Sequence, residues 1–496
     1  MTTDSSVGPS RRRPARLVAP HRGTESVKEQ AARVWPTGRF PGATTLGAVG
    51  SLDAVFKAYD LRGTVPDQFD TSVARAVGVA FARFARAERV LVARDMGESG
   101  PGLAAAFADG VTSAGVDVVD LGLASTDLLY FAAGHLASPA AMFTASHNPA
   151  SYNGIKLCLD GARPVGQDTG LAEIKAMAQA GPNGTAGVAP GSVSSADLTD
   201  EYARHVRSFV DVSVLKPLRV IADTANGMGG LVVPRVFDGL PFELEVLYPE
   251  LDGSFPNHPA DPINTENLKD LQGRVLETEA DVGLAFDGDA DRVFLVDDRA
   301  VPISGSLTTA IVAKAILATH PGATIIHNLI CSKVVPEVIV ENGGVPVRTR
   351  VGHSFIKAVM ADTGAVFGGE HSGHYYFRDN YRADSGLVAA LVILEQLSLG
   401  DLPLSELRRP FERYADSGEI NVEVPDPQAV IDRVGAAFPE GEHDRTDGLT
   451  VDLGDWWFNL RPSNTEPVLR INVEAPDPEA CLAHTARLVE LVKEGA

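Results

Sequence analysis

Cysteine, basic charge and long apolar runs are all scarce in this chain of 496 residues. Its three cysteines (Cys158, Cys331 and Cys481) lie far apart, which excludes a disulfide framework or a zinc-binding pair and indicates a reducing compartment. The longest apolar run, residues 387–394, is far shorter than the ~20 residues that span a bilayer. The N-terminus lacks the apolar segment of a secretory signal. We therefore expect a cytoplasmic protein that does not bind membranes.

Acidic residues outnumber basic ones by 65 to 43, which gives a net charge of −22. A nucleic-acid binder needs a basic face to replace the counterions of the phosphate backbone, so we expect no nucleic-acid partner. Residues 1–47 are rich in Pro, Gly, Ser and Thr without periodicity, which predicts a disordered N-terminal extension.

From residue 56 onward, short apolar segments rich in Val, Ile and Leu alternate with amphipathic stretches, which predicts α/β units. The alternation restarts twice, and beyond residue 414 the pattern becomes that of an antiparallel sheet with two flanking helices. The sequence thus predicts three α/β modules and a smaller α+β domain. Their predicted bounds are 48–192, 193–301, 302–413 and 414–496.

The first loop of chemical interest, Thr-Ala-Ser-His-Asn-Pro at residues 144–149, follows a predicted strand. Lys156 lies ten residues after Ser146. Because ligands of open α/β sheets bind beyond the carboxyl ends of strands, Ser146 is a candidate nucleophile or phosphoryl carrier. A turn in which Ser and Asn bond the local backbone is the alternative. The absence of a Gly-x-Ser-x-Gly elbow disfavours an esterase.

A second loop places Asp287, Asp289 and Asp291 directly after the apolar segment 282–286. Alternate residues of an extended chain project to one side, so these carboxylates repel unless a cation neutralises them. Oxygen ligands favour a hard ion such as Mg²⁺. A solvated acidic loop is the alternative, whereas an EF-hand is excluded because Arg292 stands where that calcium loop needs glycine.

Two more loops carry groups that suit a phosphorylated sugar. Gly-Gly-Glu-His-Ser-Gly-His at 368–374 offers a carboxylate and a hydroxyl to sugar hydroxyls. Arg-Pro-Ser-Asn-Thr-Glu-Pro at 461–467, with Arg470 following, makes a cradle for an anion such as phosphate. Taken alone, each is also compatible with a polar turn. Together with the serine and the acidic loop, they indicate phosphoryl transfer on a phosphorylated polyol or sugar.

Two smaller sites accompany these loops. Lys-Ala-Tyr-Asp-Leu-Arg-Gly at 57–63 begins the ordered chain, and its alternative is a solvated charged turn. Gly-His-Ser-Phe-Ile-Lys at 352–357 opens a predicted helix. If His353 keeps its usual affinity for protons, it titrates near neutrality and can carry them.

In this order, the four loops resemble the motifs of the α-D-phosphohexomutases, specifically the phosphomannomutase/phosphoglucomutase branch. The resemblance covers about residues 55–490 and rests on T-A-S-H-N-P, D-G-D-x-D-R, G-E-x-S-G-H and R-P-S-N-T-E-P. It implies three related α/β modules plus a C-terminal α+β domain around a central cleft. We expect a monomer or dimer that binds small hexose phosphates.

The resemblance also implies a role for each matching residue. Ser146 would be a phosphoserine that donates and recovers a phosphoryl group. Asp287, Asp289 and Asp291 would hold Mg²⁺ together with it. The residues implied near the transferred group are Arg62, Lys156, Arg292 and His353. The residues implied in substrate binding are Tyr59, His147, Glu370, Ser372, His374, Arg461, Ser463, Asn464, Thr465 and Arg470.

The implied reaction moves a phosphoryl group between the 1- and 6-positions of a hexose phosphate through a bound hexose 1,6-bisphosphate. Mannose phosphates are the expected substrates, with glucose phosphates as further ones. Asn464 favours this branch over the glucosamine branch, which usually has Gly there. Phosphoglucosamine mutase, a Mg²⁺-dependent sugar phosphatase and a non-catalytic phosphosugar sensor are the alternatives.

Three positions depart from the pattern of the family. Ala290 replaces a commoner Gly, a small change that we expect to preserve the metal site. Ile330 stands before Cys331, where related bifunctional enzymes often have a Lys that touches substrate. Ser306 occupies a position where Asp is common.

Overall fold

The computed structural model describes residues 52–181, 187–463 and 468–494. The predicted extension, residues 1–47, lies outside these ranges, as do Asn464 and Thr465. Four separate sheets follow one another along the described chain.

The first sheet joins seven strands and carries the serine loop between two of them. The strands are β1 Leu61–Thr64, β2 Arg89–Arg94, β3 Asp117–Leu123, β4 Ala140–Phe143, β5 Tyr152–Leu159, β6 Arg163–Pro164 and β7 Val193–Ser195. Their order is β1-β5-β4-β2-β3-β7, with β6 on β5. The pairs β4–β2, β2–β3 and β3–β7 are parallel, and β5 is antiparallel to both of its neighbours. The helices of this region are Thr71–Ala85, Gly100–Ser113, Thr126–His135 and Leu171–Gln179.

The second and third sheets also contain both parallel and antiparallel pairs. The second has the order β12-β11-β10-β8-β9 and the third β14-β13-β15-β16. These strands are β8 Arg219–Asp223, β9 Glu243–Leu247, β10 Val282–Phe286, β11 Val293–Asp297, β12 Pro302–Ile303, β13 Thr324–Asn328, β14 Val345–Thr349, β15 Phe367–Gly369 and β16 Tyr375–Phe377. The pairs β10–β8, β8–β9, β13–β14 and β13–β15 are parallel, whereas β10–β11 and β15–β16 are antiparallel. The helices are Thr199–Arg207, Gly229–Phe237, Lys269–Thr278, Gly305–Thr319, Val334–Glu341, His353–Thr363, Gly386–Leu399 and Leu404–Leu407.

The fourth sheet is antiparallel throughout and packs against two helices, Pro427–Ala436 and Pro478–Lys493. Its order is β17-β22-β21-β20-β19, with β18 also on β22. The strands are β17 Ala415–Asp416, β18 Ile420–Glu423, β19 Glu442–Asp444, β20 Leu449–Asp452, β21 Trp457–Pro462 and β22 Val468–Ala475. The predicted fold class, α/β modules followed by an α+β domain, is therefore confirmed.

The longest apolar run of the sequence is a core helix. Residues 387–394 lie in the helix Gly386–Leu399 and are all buried. No single helix in the described ranges is long and apolar enough to cross a membrane. The pair Gly386–Leu399 and Leu404–Phe411 meets the length and composition criteria jointly, with a bend of 95° between its halves.

Two strands of the first sheet were not predicted from the sequence. Residues 152–156 form the start of strand β5, where Lys156 pairs with Met142. Residues 193–195 form β7, which joins the first sheet beside β3. The first sheet thus extends beyond the boundary predicted at residue 192.

Candidate active site

Ser146 lies on the turn that follows β4 in a strained backbone conformation. Its φ of 55° is in the left-handed region, which costs free energy for a residue with a Cβ. Its backbone N–H donates to Thr144 Oγ1 over 2.8 Å, which helps to fix the turn. Its hydroxyl Oγ donates to Asp287 Oδ2 over 2.7 Å. The turn therefore delivers a buried serine hydroxyl to the acidic loop of the second sheet.

The acidic loop approaches the serine turn at Gly288. A Cβ at this position would lie 2.3 Å from the carbonyl oxygen of Ser146, so no other residue fits without moving one loop. Ala290 is fully buried with a φ of 60°, a conformation that glycine adopts more easily. This backbone requirement accounts for the commoner glycine at that position of the motif.

The three aspartates of the loop converge as the sequence predicted. The ligand atoms of Asp287, Asp289 and Asp291 lie within 4.8 Å of one another, and all three residues are buried. Oδ1 of Asp289 and Oδ1 of Asp291 have no hydrogen-bond partner among the residues that the structure describes. Buried carboxylate oxygens without partners are costly, and a hard cation such as Mg²⁺ would satisfy them. The donor set therefore fits this metal.

Two cations partly neutralise the three carboxylates. Lys156 Nζ donates to Asp289 Oδ2 and Asp291 Oδ2, each over 2.7 Å. Arg292 donates from Nε to Asp287 Oδ2 over 2.8 Å. We call Ser146, Lys156, the three aspartates and Arg292 the serine–carboxylate cluster. When all three carboxyl groups are ionised, they exceed these two cations by one negative charge.

The pKa values of the cluster follow from burial and these ion pairs. Burial raises the pKa of Asp287 to about 8, with the opposing charge of Arg292 outweighed by burial and by the two neighbouring aspartates. Burial alone would lower the pKa of Lys156, but Asp289 and Asp291 hold it well above its usual value. Lys156 therefore stays charged, whereas Asp287 is mostly protonated near pH 7 unless a bound cation stabilises its charged form.

Two further basic residues border the serine turn. His147 is exposed as a residue, but desolvation of its ring and the charge of Arg292 hold its pKa well below the usual value. The neutral ring accepts a hydrogen bond at Nδ1 from Arg292 Nη2. Arg62 donates to Asp60 Oδ2 over 2.7 Å and to Asn148 Oδ1 over 2.5 Å. Its Nε is buried without a partner in the described ranges.

Glu370 and Ser372, on the loop between β15 and β16, are held from several sides. Glu370 Oε1 accepts hydrogen bonds from the backbone N–H of Gly352 and from Asn328 Nδ2. Its Oε2 accepts from the hydroxyl of Tyr376 over 2.7 Å. Ser372 Oγ lies 2.9 Å from His374 Nδ1. These contacts fix the orientation of the carboxylate and the hydroxyl that the sequence assigned to sugar recognition.

His374 connects this loop with the serine–carboxylate cluster. Its Nε2 lies 3.7 Å from Asp291 Oδ1, and its Nδ1 lies 3.5 Å from Glu370 Oε2. The backbone of Arg292 also forms an isolated bridge with that of His374. The acidic loop is thus in direct contact with the loop 368–374, which we call the sugar-reading loop after the task that the sequence predicts for it.

His353 does not keep its usual affinity for protons. Burial and the nearby charge of Lys357 hold its pKa well below the usual value, so the imidazole is neutral near pH 7. The condition for titration near neutrality is therefore not met. Its ring packs edge-on against Tyr59, with ring centroids 5.2 Å apart. Its buried Nδ1 has no partner in the described part of the chain and is available to a ligand.

The fourth domain contributes what we call the anion cradle, formed by Arg461, Ser463 and Arg470. Arg461 and Arg470 are cross-strand neighbours on β21 and β22. Arg461 is 3% exposed, and its Nε has no partner among the described residues. The charge of Arg461 reaches Tyr59 in the first domain, whose pKa is raised mainly by burial and then by Asp60 and Glu370. The cradle therefore faces the same region as the sugar-reading loop.

Most of the predicted site residues lie close together in the structure, whereas Asn464 and Thr465 lie outside the described residues. Several residues that contact these site residues were not predicted from the sequence. The missed partners are Asp60, Thr126, Asn328, Tyr376 and Glu419. Thr126, for example, donates its hydroxyl hydrogen bond to Asp289 Oδ2 from 163 positions away. No local motif in the sequence signals such a contact.

Comparison with known proteins agrees with this geometry. Four family models of phosphoglucomutase/phosphomannomutase match the chain: α/β/α domain I at 53–184, domain II at 200–300, domain III at 304–414 and the C-terminal domain at 419–491. A protein of Xanthomonas campestris named "Phosphohexose mutases" is 40% identical over 433 residues, covering 86% of this chain and 96% of its own.

Two other relatives extend the comparison. A phosphomannomutase of Salmonella typhimurium is 40% identical over 456 residues, covering 88% of this chain and 99% of its own. The crystal structure of a phosphoglucomutase/phosphomannomutase family protein from Burkholderia thailandensis superposes with a TM-score of 0.80 at 34% identity, covering 89% of this chain and 98% of its own.

An acidic cluster beside a buried serine, a sugar-reading loop and a cationic cradle define a phosphoryl-transfer enzyme. Four matching domains and relatives at 40% identity make the assignment specific. The chain belongs to the bacterial branch of the α-D-phosphohexomutase family and is a phosphohexomutase, an isomerase of carbohydrate metabolism.

Proposed function

We propose that this enzyme interconverts mannose 6-phosphate and mannose 1-phosphate, with glucose phosphates as further substrates. The relative from Salmonella typhimurium that is named a phosphomannomutase supports the choice of sugar. The observation that carries the chemistry is the contact between Ser146 Oγ and Asp287, beside two buried carboxylate oxygens that have no hydrogen-bond partner in the described ranges.

In the proposed reaction, Ser146 carries a phosphoryl group that passes to the free hydroxyl of a hexose 1- or 6-phosphate. The P–O bond to Ser146 breaks as the P–O bond to the sugar forms. A base takes the proton of the attacking hydroxyl, and the released Ser146 oxygen takes up a proton to become a hydroxyl again. Reorientation of the resulting hexose 1,6-bisphosphate presents its other phosphoryl group, which returns to Ser146. The enzyme is regenerated, and the phosphate has changed position.

Among the three proposed acid–base residues, His353 is the one that is neutral near pH 7, because burial and the charge of Lys357 hold its pKa well below the usual value, whereas the pKa values of Arg62 and Lys156 are raised. The same shift makes His353 a weak base. Lys156 remains charged and serves to position and neutralise rather than to accept a proton. Among the described residues, Arg62 Nε has no hydrogen-bond partner, so this N–H would be available to a phosphate oxygen. His353 is therefore our choice among the three proposed acid–base residues.

Asp287, Asp289 and Asp291 would hold Mg²⁺, which when bound offsets the negative charge that develops on the transferred phosphoryl group. Phosphorylated Ser146 would lie beside it, since its Oγ already contacts Asp287. Arg292, fixed against the same carboxylate, provides a second positive charge at this point.

The remaining loops would hold the substrate at its two ends. Glu370 and Ser372 would read the 3- and 4-hydroxyls of the sugar, and Tyr59 would line the space between them and the cradle. The anion cradle would bind the phosphate that is not being transferred. Asn464 and Thr465 are proposed for the same task on the sequence motif alone. The cytoplasmic location and a monomeric or dimeric state remain predictions.

A substrate comparison tests the proposal. The full-length enzyme is assayed with mannose, glucose and glucosamine phosphates in the presence of Mg²⁺ and a hexose 1,6-bisphosphate activator. We expect the highest kcat/KM with mannose phosphate and measurable turnover with glucose phosphate. A clear preference for glucosamine phosphate, or phosphate release without isomerisation, would contradict the assignment.

A further inference from the structure

Glu419 is shared between the two arginines of the anion cradle. Its Oε2 lies 3.1 Å from Arg461 Nη2, and its Oε1 lies 3.2 Å from Arg470 Nη1. Both oxygens of the carboxylate are therefore engaged by cationic donors. The side chain is 21% exposed, so this carboxylate is partly accessible to solvent beside the two arginines.

The sheet register brings the two arginines together, and the segment before β18 adds the glutamate. Asn421 of β18 pairs with Arg470 of β22, and Arg470 pairs with Arg461 of β21. Glu419 immediately precedes β18, which begins at Ile420. The entry into this strand therefore lies next to the paired arginines, and the two contacts of Glu419 reach both of them.

The charge of Glu419 also reaches the sugar-reading loop of the third domain. Burial lowers the pKa of His371, while the negative charges of Asp416 and Glu419 act in the opposite direction. His371 lies between Glu370 and Ser372 in the chain. Glu419 is therefore close to the region where the sugar would lie.

A carboxylate in this position has two opposing effects on phosphate binding. It separates and orients two guanidinium groups that would otherwise repel each other, which prepares them for a planar anion. It also lowers the positive charge of the cradle and occupies N–H donors that a phosphate would use. The proposed reaction needs both effects, because each phosphate of the bisphosphate must enter the cradle and then leave it.

We propose that Glu419 is a positioning residue that holds Arg461 and Arg470 in place. Its charge lowers their affinity for phosphate, so that the bisphosphate can leave the cradle and reorient. This inference depends on the proposed function. Glu419 lies outside the four recognised motifs. Its proposed role concerns the release of phosphate from the cradle as well as the binding of phosphate there.

The test uses Glu419→Gln, which keeps the shape of the side chain and removes its charge. We expect the KM for mannose 6-phosphate and the inhibition constant of inorganic phosphate each to fall by about fivefold to tenfold, as expected when a like charge is removed from a half-buried anion site. We expect kcat to fall as well, because release becomes slower. Both differences should shrink as salt is added.

A matched control separates this effect from a general loss of charge. Glu442 is exposed on β19, at the opposite edge of the same sheet, and Glu442→Gln should leave KM, kcat and phosphate inhibition within twofold of the parent enzyme. Glu419→Asp, which retains the charge, should keep the inhibition constant of phosphate within twofold. This variant also serves if Glu419→Gln does not fold.

The outcomes are distinguishable. A merely structural role predicts weaker phosphate binding in Glu419→Gln, so an unchanged or raised inhibition constant overturns the inference. Tighter binding in Glu419→Asp overturns it too. If the parent enzyme itself fails to interconvert mannose phosphates, the proposed function fails instead, and the inorganic phosphate measurement still shows whether Glu419 restrains the cradle.

Discussion

The serine–carboxylate cluster and the anion cradle are built from similar charged side chains but in opposite proportions: among the residues that the structure describes, the cluster holds more carboxylates than cations and the cradle more arginines than carboxylates. In the cluster, three aspartates form ion pairs with Lys156 and Arg292, and two carboxylate oxygens have no described hydrogen-bond partner. In the cradle, two arginines form ion pairs with one carboxylate, that of Glu419. The first region is therefore incomplete without a cation, whereas the second is ready for an anion.

This difference shows how an acidic protein can bind an anionic substrate. The net charge of −22 describes the whole chain, whereas binding depends on the charges within a few ångströms of the ligand. In the proposed reaction, bound Mg²⁺ would neutralise part of the negative charge of the acidic region, so that a phosphoryl group could bind there. The cradle needs no metal because its arginines already provide the charge.

The largest expected effect comes from removing the hydroxyl of the cluster. Ser146→Ala should lower kcat by at least about 10³-fold, because no other group can carry the phosphoryl group. Its thermal unfolding midpoint should stay close to that of the parent enzyme. Ser151→Ala, an exposed serine on the same loop, is the control and should remain active. Parental turnover in Ser146→Ala would show that the serine is not the carrier.

Removal of the metal should distinguish the two regions most clearly, because only the cluster is expected to depend on it. Exhaustive chelation should lower activity by at least about 100-fold, since a metal ion supplies several kcal/mol of charge stabilisation. Added Mg²⁺ should restore the activity and raise the unfolding midpoint by relieving repulsion among the aspartates. Binding of inorganic phosphate to the cradle, measured by calorimetry on Ser146→Ala, should persist after chelation. Full activity in the chelated enzyme would contradict this account.

Contact between the serine turn and the acidic loop depends on a glycine. Gly288→Ala places a Cβ 2.3 Å from the carbonyl oxygen of Ser146, which should separate the loops and lower kcat by about 100-fold through misplacement of the serine. The control is Gly273→Ala, because no atom lies near that added Cβ on an exposed helix. This control should gain ~0.5–1 kcal/mol in the free energy of unfolding. Equal kcat in both variants would refute the close-contact argument.

The cradle should affect binding more than chemistry. Arg461→Ala should raise the KM for hexose phosphate by about 10- to 100-fold, the loss expected for one charge-assisted contact, with a smaller change in kcat. Arg445→Ala, at an exposed ion pair elsewhere in the domain, is the control. A fall in kcat without any change in KM would place Arg461 at the chemical step and remove the contrast between the regions.

The smallest effect is expected at the support of Glu370. Tyr376→Phe removes the hydroxyl that donates to Glu370 Oε2, which should lower kcat/KM about fivefold because one hydrogen bond of roughly 1 kcal/mol is lost. Tyr375→Phe, on the opposite face of β16, provides the control. Equal values for the two variants would argue against a supporting role of this contact.

The serine turn and the acidic loop were predictable because apolar strands place them at strand ends. Strand β10, for example, spans residues 282–286 as the sequence predicted. Their mutual contact was not predictable from spacing, because Ser146 and Asp287 are 141 positions apart. Strand β5 was missed because its Tyr-Asn-Gly start reads as a turn, although pairing on both sides extends it.

The supporting residues were the least visible in the sequence. Glu419 lies outside the motif at 461–467 and contacts its Arg461 through the side chain, because β18, which follows Glu419, pairs with β22. The lowered pKa of His353 depends on the burial of a helix start against Tyr59, which no periodicity encodes. Local motifs therefore identify the reacting groups, whereas the tertiary fold determines their partners and their protonation.

The central claim is that Ser146 carries the phosphoryl group. The direct measurement is the intact mass of the full-length enzyme after incubation with Mg²⁺ and a hexose 1,6-bisphosphate, followed by peptide mapping. The account predicts a gain of one phosphoryl group located on Ser146, lost again on addition of excess hexose monophosphate. A stable modification confined to another residue, with Ser146 unmodified in the active enzyme, would contradict it.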